Sequence, residues 1–155
     1  MIKLDRMDKR ILEELQKDGG ISNLELAERV GLSPSPCSRR VKQLEDNGII
    51  QGKNIRINSK ALGFNLTAMI QVSMDRHTPD RFENFERKLI DCEEVQSCSL
   101  ITGQSADYLV TVIVKDMEHF QEFLLGKLTT IEGVTGVHSS FVLRKIVDRI
   151  SIALN

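Results

Sequence analysis

Apolar positions recur at helical spacing through the first third of the chain and then switch to strand-like alternation. Leu4, Met7, Ile11 and Leu15 form one helical stripe, which Asp5 can cap and Asp18-Gly19-Gly20 stops. A second short helix opens at Ser22-Asn23-Leu24-Glu25, a capping box in which Ser22 caps and Glu25 reaches back. Its inward positions are Leu24, Ala27 and Val30, and Gly31 ends it. Two residues later Ser33 can cap a third helix. Pro34 stands at its first position, where a missing N–H costs nothing, and Gly48 closes it. Ile49-Ile50-Gln51-Gly52 with Asn54-Ile55-Arg56-Ile57 suits a small hairpin or wing.

From Phe64 the period is two. Leu66, Ala68, Ile70, Val72 and Met74 share one strand face. A helix follows from a Thr78 cap to Ile90, with Phe82, Phe85, Leu89 and Ile90 inward. Val95–Ile101 reads as a strand, and so does Tyr108–Val114, with Tyr108, Val110, Val112 and Val114 on one side. Asp116 can cap a helix burying Phe120, Phe123, Leu124 and Leu128, and Gly133 turns the chain into a last strand, Val134–Leu143. The predicted fold is α+β. An N-terminal three-helix, winged-helix-like helix-turn-helix domain over 1–57 precedes a hinge over 58–63 and a βαββαβ ferredoxin-like domain over 64–155. Two helices cover only one sheet face. Met69, Leu109, Ile113 and Val142 stay on the other, which predicts pairing with a second copy.

The third helix is where chemistry enters. Cys37, Val41 and Leu44 share one side, whereas Ser35, Ser38, Arg39 and Lys42 project from roughly the opposite one. Hydroxyls and a guanidinium on one exposed face can reach phosphates and base edges in a major groove. Placed second in a tight helix-turn-helix, this is the reading helix. The candidate DNA contacts are Ser22, Asn23, Ser33, Ser35, Pro36, Ser38, Arg39, Arg40 and Lys42, with Arg40 off the central stripe and limited to a phosphate.

Charge changes the picture in one respect. The formal net charge is −1, which excludes a bulk polyanion binder. Residues 1–56 carry eleven Lys/Arg against nine Asp/Glu, and residues 57–155 carry ten against thirteen. Within 33–43 there are three cations and no anion. Binding is therefore local, with few phosphate contacts per copy, and an oligomer is expected to supply the rest. Three scattered cysteines, Cys37, Cys92 and Cys98, point to free thiols in a reducing cytoplasm, with no signal peptide and no membrane span. Neither the cysteines nor His77, His119 and His138 have metal-ligand spacing. No nucleophile–base pair or phosphate-cradling glycine loop is seen, so no enzyme and no cofactor are expected.

Several stretches in order resemble the Lrp/AsnC family of leucine- and asparagine-responsive transcription factors over nearly the whole chain. They are Leu4-Asp5-Arg6-Met7-Asp8, Leu15-Gln16-Lys17-Asp18-Gly19, Ile21-Ser22-Asn23, Gly31-Leu32-Ser33-Pro34-Ser35-Pro36-Cys37, Gly48-Ile49-Ile50, Thr102-Gly103 with Asp107-Tyr108, and Gly133-Val134. The resemblance implies a DNA-binding domain joined by a strand-containing hinge to an amino-acid-sensing domain. It further implies dimers through the sheets, assembled into octamers, and an amino-acid effector bound between dimers. By family position the effector residues are Thr102, Gly103, Gln104, Ser105, Ala106, Asp107 and Tyr108, with Thr135, Val137 and Ser139 from a neighbour. Gly103 to Asp107 is four steps where close relatives have three, which reshapes the loop. Val137 lacks the hydroxyl that the family often carries there, which favours an apolar effector such as leucine or methionine. The alternative is an effector-independent architectural protein of the chromosome, whose second domain only assembles.

Overall fold

A computed structural model describes residues 3–103 and 105–154. The chain divides into two compact units: residues up to Ile57 together with the segment from Val147, and Asn58–Ile146. The first unit holds three helices, α1 (Arg6–Lys17), α2 (Asn23–Val30) and α3 (Pro34–Asp46). The Asp5 side chain accepts from the Met7 and Asp8 amides, and Asp8 accepts from the Asp5 amide, a reciprocal cap that fixes where α1 begins. Ile11, Leu12, Ile21, Leu26, Ala27, Val30, Cys37 and Leu44 make the core. Gly31 takes φ +76, a left-handed conformation that lets the chain leave α2 and enter α3 within two residues.

The structure corrects several expectations in this unit. Leu24, expected inward, is 69% exposed in the first turn of α2, and Leu26 joins the expected Ala27 and Val30 in the core. The box at Ser22 is half formed. Its hydroxyl accepts from the Glu25 amide, but the Glu25 carboxylate turns to Arg29, one turn further along, at 2.6 Å. Ser33 occupies the cap position of α3 without a side-chain cap bond. Residues 51–58 have no strand, so the expected wing hairpin does not form. The segment from Val147, expected in the second domain, lies with the three helices.

The second unit runs β1 (Leu66–Met74), α4 (Pro79–Ile90), β2 (Val95–Leu100), β3 (Tyr108–Val114), α5 (Met117–Gly126) and β4 (Val134–Phe141). The sheet is antiparallel in the order β2-β3-β1-β4, which is the ferredoxin-like arrangement. Alternation decides its faces. Ala68, Ile70, Val72, Met74, Tyr108, Val110, Val112 and Val114 are buried with Phe85, Leu89, Phe120 and Phe123 of the two helices. Met69, Leu109, Ile113 and Val142 lie on the opposite, partly exposed face. Ile90, expected inward, is 81% exposed at the last residue of α4. Leu128 is buried, but from a 3-10 turn beyond the end of α5. Asn58–Gly63, expected as a free hinge, belong to this unit, with a 3-10 turn over Lys60–Leu62. Among the described residues no helix is long and apolar enough to cross a membrane.

Candidate nucleic-acid interface and effector loop

The helix α3 is rooted by Cys37 and Leu44, both buried, and by half-buried Val41. Burial pushes the Cys37 thiol up, which suits a packing role rather than a reactive one. On the far side Ser35, Ser38, Arg39 and Lys42 are all exposed. Their spacing of three, one and three residues keeps them on one strip of the helix. Ser33 is exposed just before it and Pro36 is half-buried. Ser38 and Lys42 share a hollow of about 440 Å³ with Asn23, where the start of α2 meets the middle of α3.

Besides Ser22, whose hydroxyl caps α2, two more of the expected DNA contacts have internal partners. The Asn23 side-chain amide donates to the Pro34 carbonyl at 2.9 Å and so pins the turn between α2 and α3. Arg40 Nη1 donates to Asp5 Oδ2 and to Asp8 Oδ1, each at 2.7 Å. The cap of α1 thus holds the reading helix. The Asp8 amide, and then the Arg40 guanidinium, keep the Asp5 carboxyl below the ordinary carboxylate range. Arg40 is therefore a tie between helices α1 and α3. Its partners lie 35 and 32 residues away, which local spacing does not reveal.

In the second unit, residues 101–107 connect the ends of β2 and β3. Ile101 and Asp107 are bridged, the Ile101 amide donating to the Asp107 carbonyl at 2.8 Å. The Asp107 amide donates to the Val72 carbonyl, and Asp107 Oδ2 accepts from the Met74 amide at 2.7 Å. Asp107 Oδ1 pairs with His77 Nε2 at 2.7 Å. Both carboxylate oxygens are thus taken, and Asp107 anchors the loop to β1. Thr102, Gly103 and Ser105 are exposed at its tip, with Gly103 at φ +88, where a side chain would be strained. The Ser105 carbonyl accepts from the Ser73 hydroxyl. Gln104 lies outside the described residues.

Three further effector positions are corrected. Ala106 is buried, and Tyr108 is only 1% exposed, packed against Phe85 at 4.5 Å and edge-on to Phe82 at 5.6 Å. The Tyr108 hydroxyl donates to Glu86 Oε1 at 2.7 Å; burial, and then Glu86, push its pKa upward. Alternation along β3 turns Tyr108 to the helix-covered side. Val137, opposite Val72 in β4, packs on that same core, so its missing hydroxyl says nothing about a pocket. Thr135 and Ser139 lie on the edge strand β4; the Thr135 hydroxyl donates to the Ser73 carbonyl, and half-buried Ser139, opposite Ile70, shares the face of Val137. Sequence reasoning passed over His77, which completes the Asp107 anchor, and Glu86. Neither is marked by a motif.

Comparisons with known proteins agree over both units. Residues 67–152 match the family described as Lrp/AsnC ligand binding domain, and residues 4–51 match a winged helix-turn-helix DNA-binding domain. The Bkd operon transcriptional regulator of Pseudomonas aeruginosa is 40% identical over 149 residues, 96% of this chain and 97% of that protein. The leucine-responsive regulatory protein of Escherichia coli K12 is 41% identical over 143 residues, covering 92% and 87%. A transcriptional regulator of Neisseria meningitidis, solved as an L-Met complex, superposes with a TM-score of 0.93 at 42% identity, covering 99% of this chain and 98% of that one.

Proposed function

The chain belongs to the Lrp/AsnC family of transcriptional regulators, with a helix-turn-helix DNA-binding domain and a ligand-binding domain, and we propose that it is a sequence-specific DNA reader whose effector is an amino acid with an apolar side chain, leucine or methionine. The observation that carries the reading is the two-sided α3. Its apolar side is locked into the three-helix core, while Ser35, Ser38, Arg39 and Lys42 stand free on the other. Arg39 reads a base edge, Ser35, Ser38 and Lys42 hold phosphates, and Ser22 and Ser33 present the amino ends of two helices to the backbone. Asn23 and Arg40 position α3 from behind.

The effector carboxylate is held by backbone N–H groups at the exposed tip residues Thr102, Gly103 and Ser105, in a loop that Asp107 and His77 root to β1. Thr135 and Ser139 of a neighbouring copy close the site. The preference for leucine or methionine rests on the leucine-responsive relative and on the L-Met complex of a similar chain. Copies pair through the outer sheet face into dimers and then octamers, and the protein works in the cytoplasm. An effector changes DNA binding only through its unequal affinity for two arrangements of the assembly.

The test is a selection of sites from a random duplex pool, followed by gel shifts with and without L-methionine, L-leucine and L-asparagine. Arg39→Ala should weaken the selected site by about fivefold or more, a loss of about 1–3 kcal/mol for one good base contact. Unchanged affinity in that variant would overturn the groove-reading role. A response to asparagine alone would overturn the apolar effector.

A further inference from the structure

The chain passes out of the second unit after β4 and returns to the first. The segment from Val147 docks there beside the three helices, although it is the far end of the sequence. The docking has three parts. The Gln16 side-chain amide forms a reciprocal pair with the backbone of Ile152: Nε2 donates to the Ile152 carbonyl at 3.1 Å, and Oε1 accepts from the Ile152 amide at 2.6 Å. One side chain of α1 thereby imitates the edge of a β-strand. Leu154 then packs against the core that also seats α3. Arg56, just before the unit boundary, pairs with the carboxylate of Asp148 and donates to its carbonyl.

The segment is lightly held. Val147, Ile150 and Ile152 point outward, Ile152 at 72% exposure, and only Leu154 contributes to the core. Gln16 itself is exposed, so water competes for both bonds. A contact with these properties opens and closes readily, unlike the packing of α1 on α2.

We propose that Val147–Leu154 is a latch on the DNA-binding unit, held by Gln16, and that it carries the state of the effector domain to the reading helix. It is the direct continuation of β4, on whose edge Thr135 and Ser139 are proposed to meet the effector, so this inference rests on that reading. A change at β4 pulls on, or slackens, the segment that ends in Leu154. Leu154 touches the same apolar core as Val41 and Leu44 of α3. Gln16 is a positioning residue: it contacts neither DNA nor effector. Because it binds backbone, the Gln16 contact does not depend on which side chain stands at 152.

The test uses full-length protein with Gln16→Ala, Gln16→Glu and Ile152→Pro. All three substitutions fall at exposed positions. Gln16→Ala removes both bonds, Gln16→Glu keeps the acceptor and loses the donor, and Ile152→Pro removes the arm's own N–H. Hydrogen exchange of the Ile152 amide should rise in Gln16→Ala and less in Gln16→Glu. Methionine binding by calorimetry should stay within about twofold of the parent, while the ratio of DNA affinities with and without methionine collapses by about fivefold in Gln16→Ala and Ile152→Pro. Gln16→Glu should lie between. A parent-like ratio in both Gln16→Ala and Ile152→Pro would overturn the latch. If the parent shows no methionine or leucine response, the effector reading is what fails, and the latch is then judged on effector-free DNA affinity. A loss of about threefold or more in both variants would support it, and parent-like affinity would overturn it.

Discussion

Replacing Tyr108 by Phe separates a packing role from a ligand-binding one. The substitution removes a single hydroxyl and keeps the ring between Phe85 and Phe82. The lost bond is to Glu86 Oε1 at 2.7 Å. A hydrogen bond to a charged group contributes about 1.5–3 kcal/mol when both partners are dry. Glu86 is exposed, and both residues line an open hollow of about 430 Å³ between α4 and β2, so water replaces the hydroxyl as donor. The expected cost is therefore about 1 kcal/mol. For a unit of this size that lowers its melting midpoint by about 4–8 °C. Because the two units need not melt together, near-ultraviolet circular dichroism at the only tyrosine's neighbours is less useful than hydrogen exchange on β3 and α4, read alongside calorimetric melting. Effector affinity should stay within about twofold, since the hydroxyl faces the helices. A loss of tenfold in effector affinity with an unshifted melting midpoint would refute the assignment of Tyr108 to the core.

Other outcomes follow from the same contacts. Arg40→Met should weaken DNA binding while leaving the salt dependence of binding parallel to that of the parent, because no phosphate contact is lost; a slope reduced by about one would return Arg40 to the DNA. Gly133 has φ +97, and a Cβ there would sit 3.0 Å from Met74 Cε and 3.1 Å from Asp75 Oδ1. Gly133→Ala should destabilise the second unit by about 2 kcal/mol or more, measured by urea unfolding, and a neutral effect would show that the turn relaxes freely. Burial opposes ionisation of Glu94, but the Lys127 ammonium at 2.6 Å outweighs it and holds the carboxyl below 4.5. A depressed folded pKa means stability that is complete above 4.5 and lost as pH falls through the folded value. Urea midpoints taken from about pH 6 to pH 3 should fall less steeply in Glu94→Gln than in the parent, and parallel curves would count against the pair.

Much of the architecture was legible because it depends on neighbours in sequence. Asp5, Asp116 and Gly31 announce helix ends through bonds or conformations made within one turn. The alternation in β1 and β3 assigns Ala68, Ile70, Tyr108 and Val110 to one side before any partner is known. The site was less legible. Arg39 and Arg40 are adjacent cations on the same helix, yet Arg39 is exposed and Arg40 is bound to the α1 cap. Asp107 and Tyr108 carried the family's effector signal, but one anchors a loop and the other fills the core. In α2, Ala27 and Val30 were legible as core, whereas the choice of Leu26 over Leu24 was left to the packing of a helix of only two turns against α1 and α3.

The sequence by itself determined the two-domain order, the sheet faces and the basic side of the reading helix, since the faces follow from backbone geometry repeated every two or 3.6 residues. Only the tertiary structure decided which polar groups remain available. Gln16 meets Ile152 across 136 residues, and Arg40 meets Asp5 across 35. Such partners are chosen by where packing brings two distant surfaces together. A free guanidinium and a paired one are the same letter, and burial of their neighbours is what tells them apart.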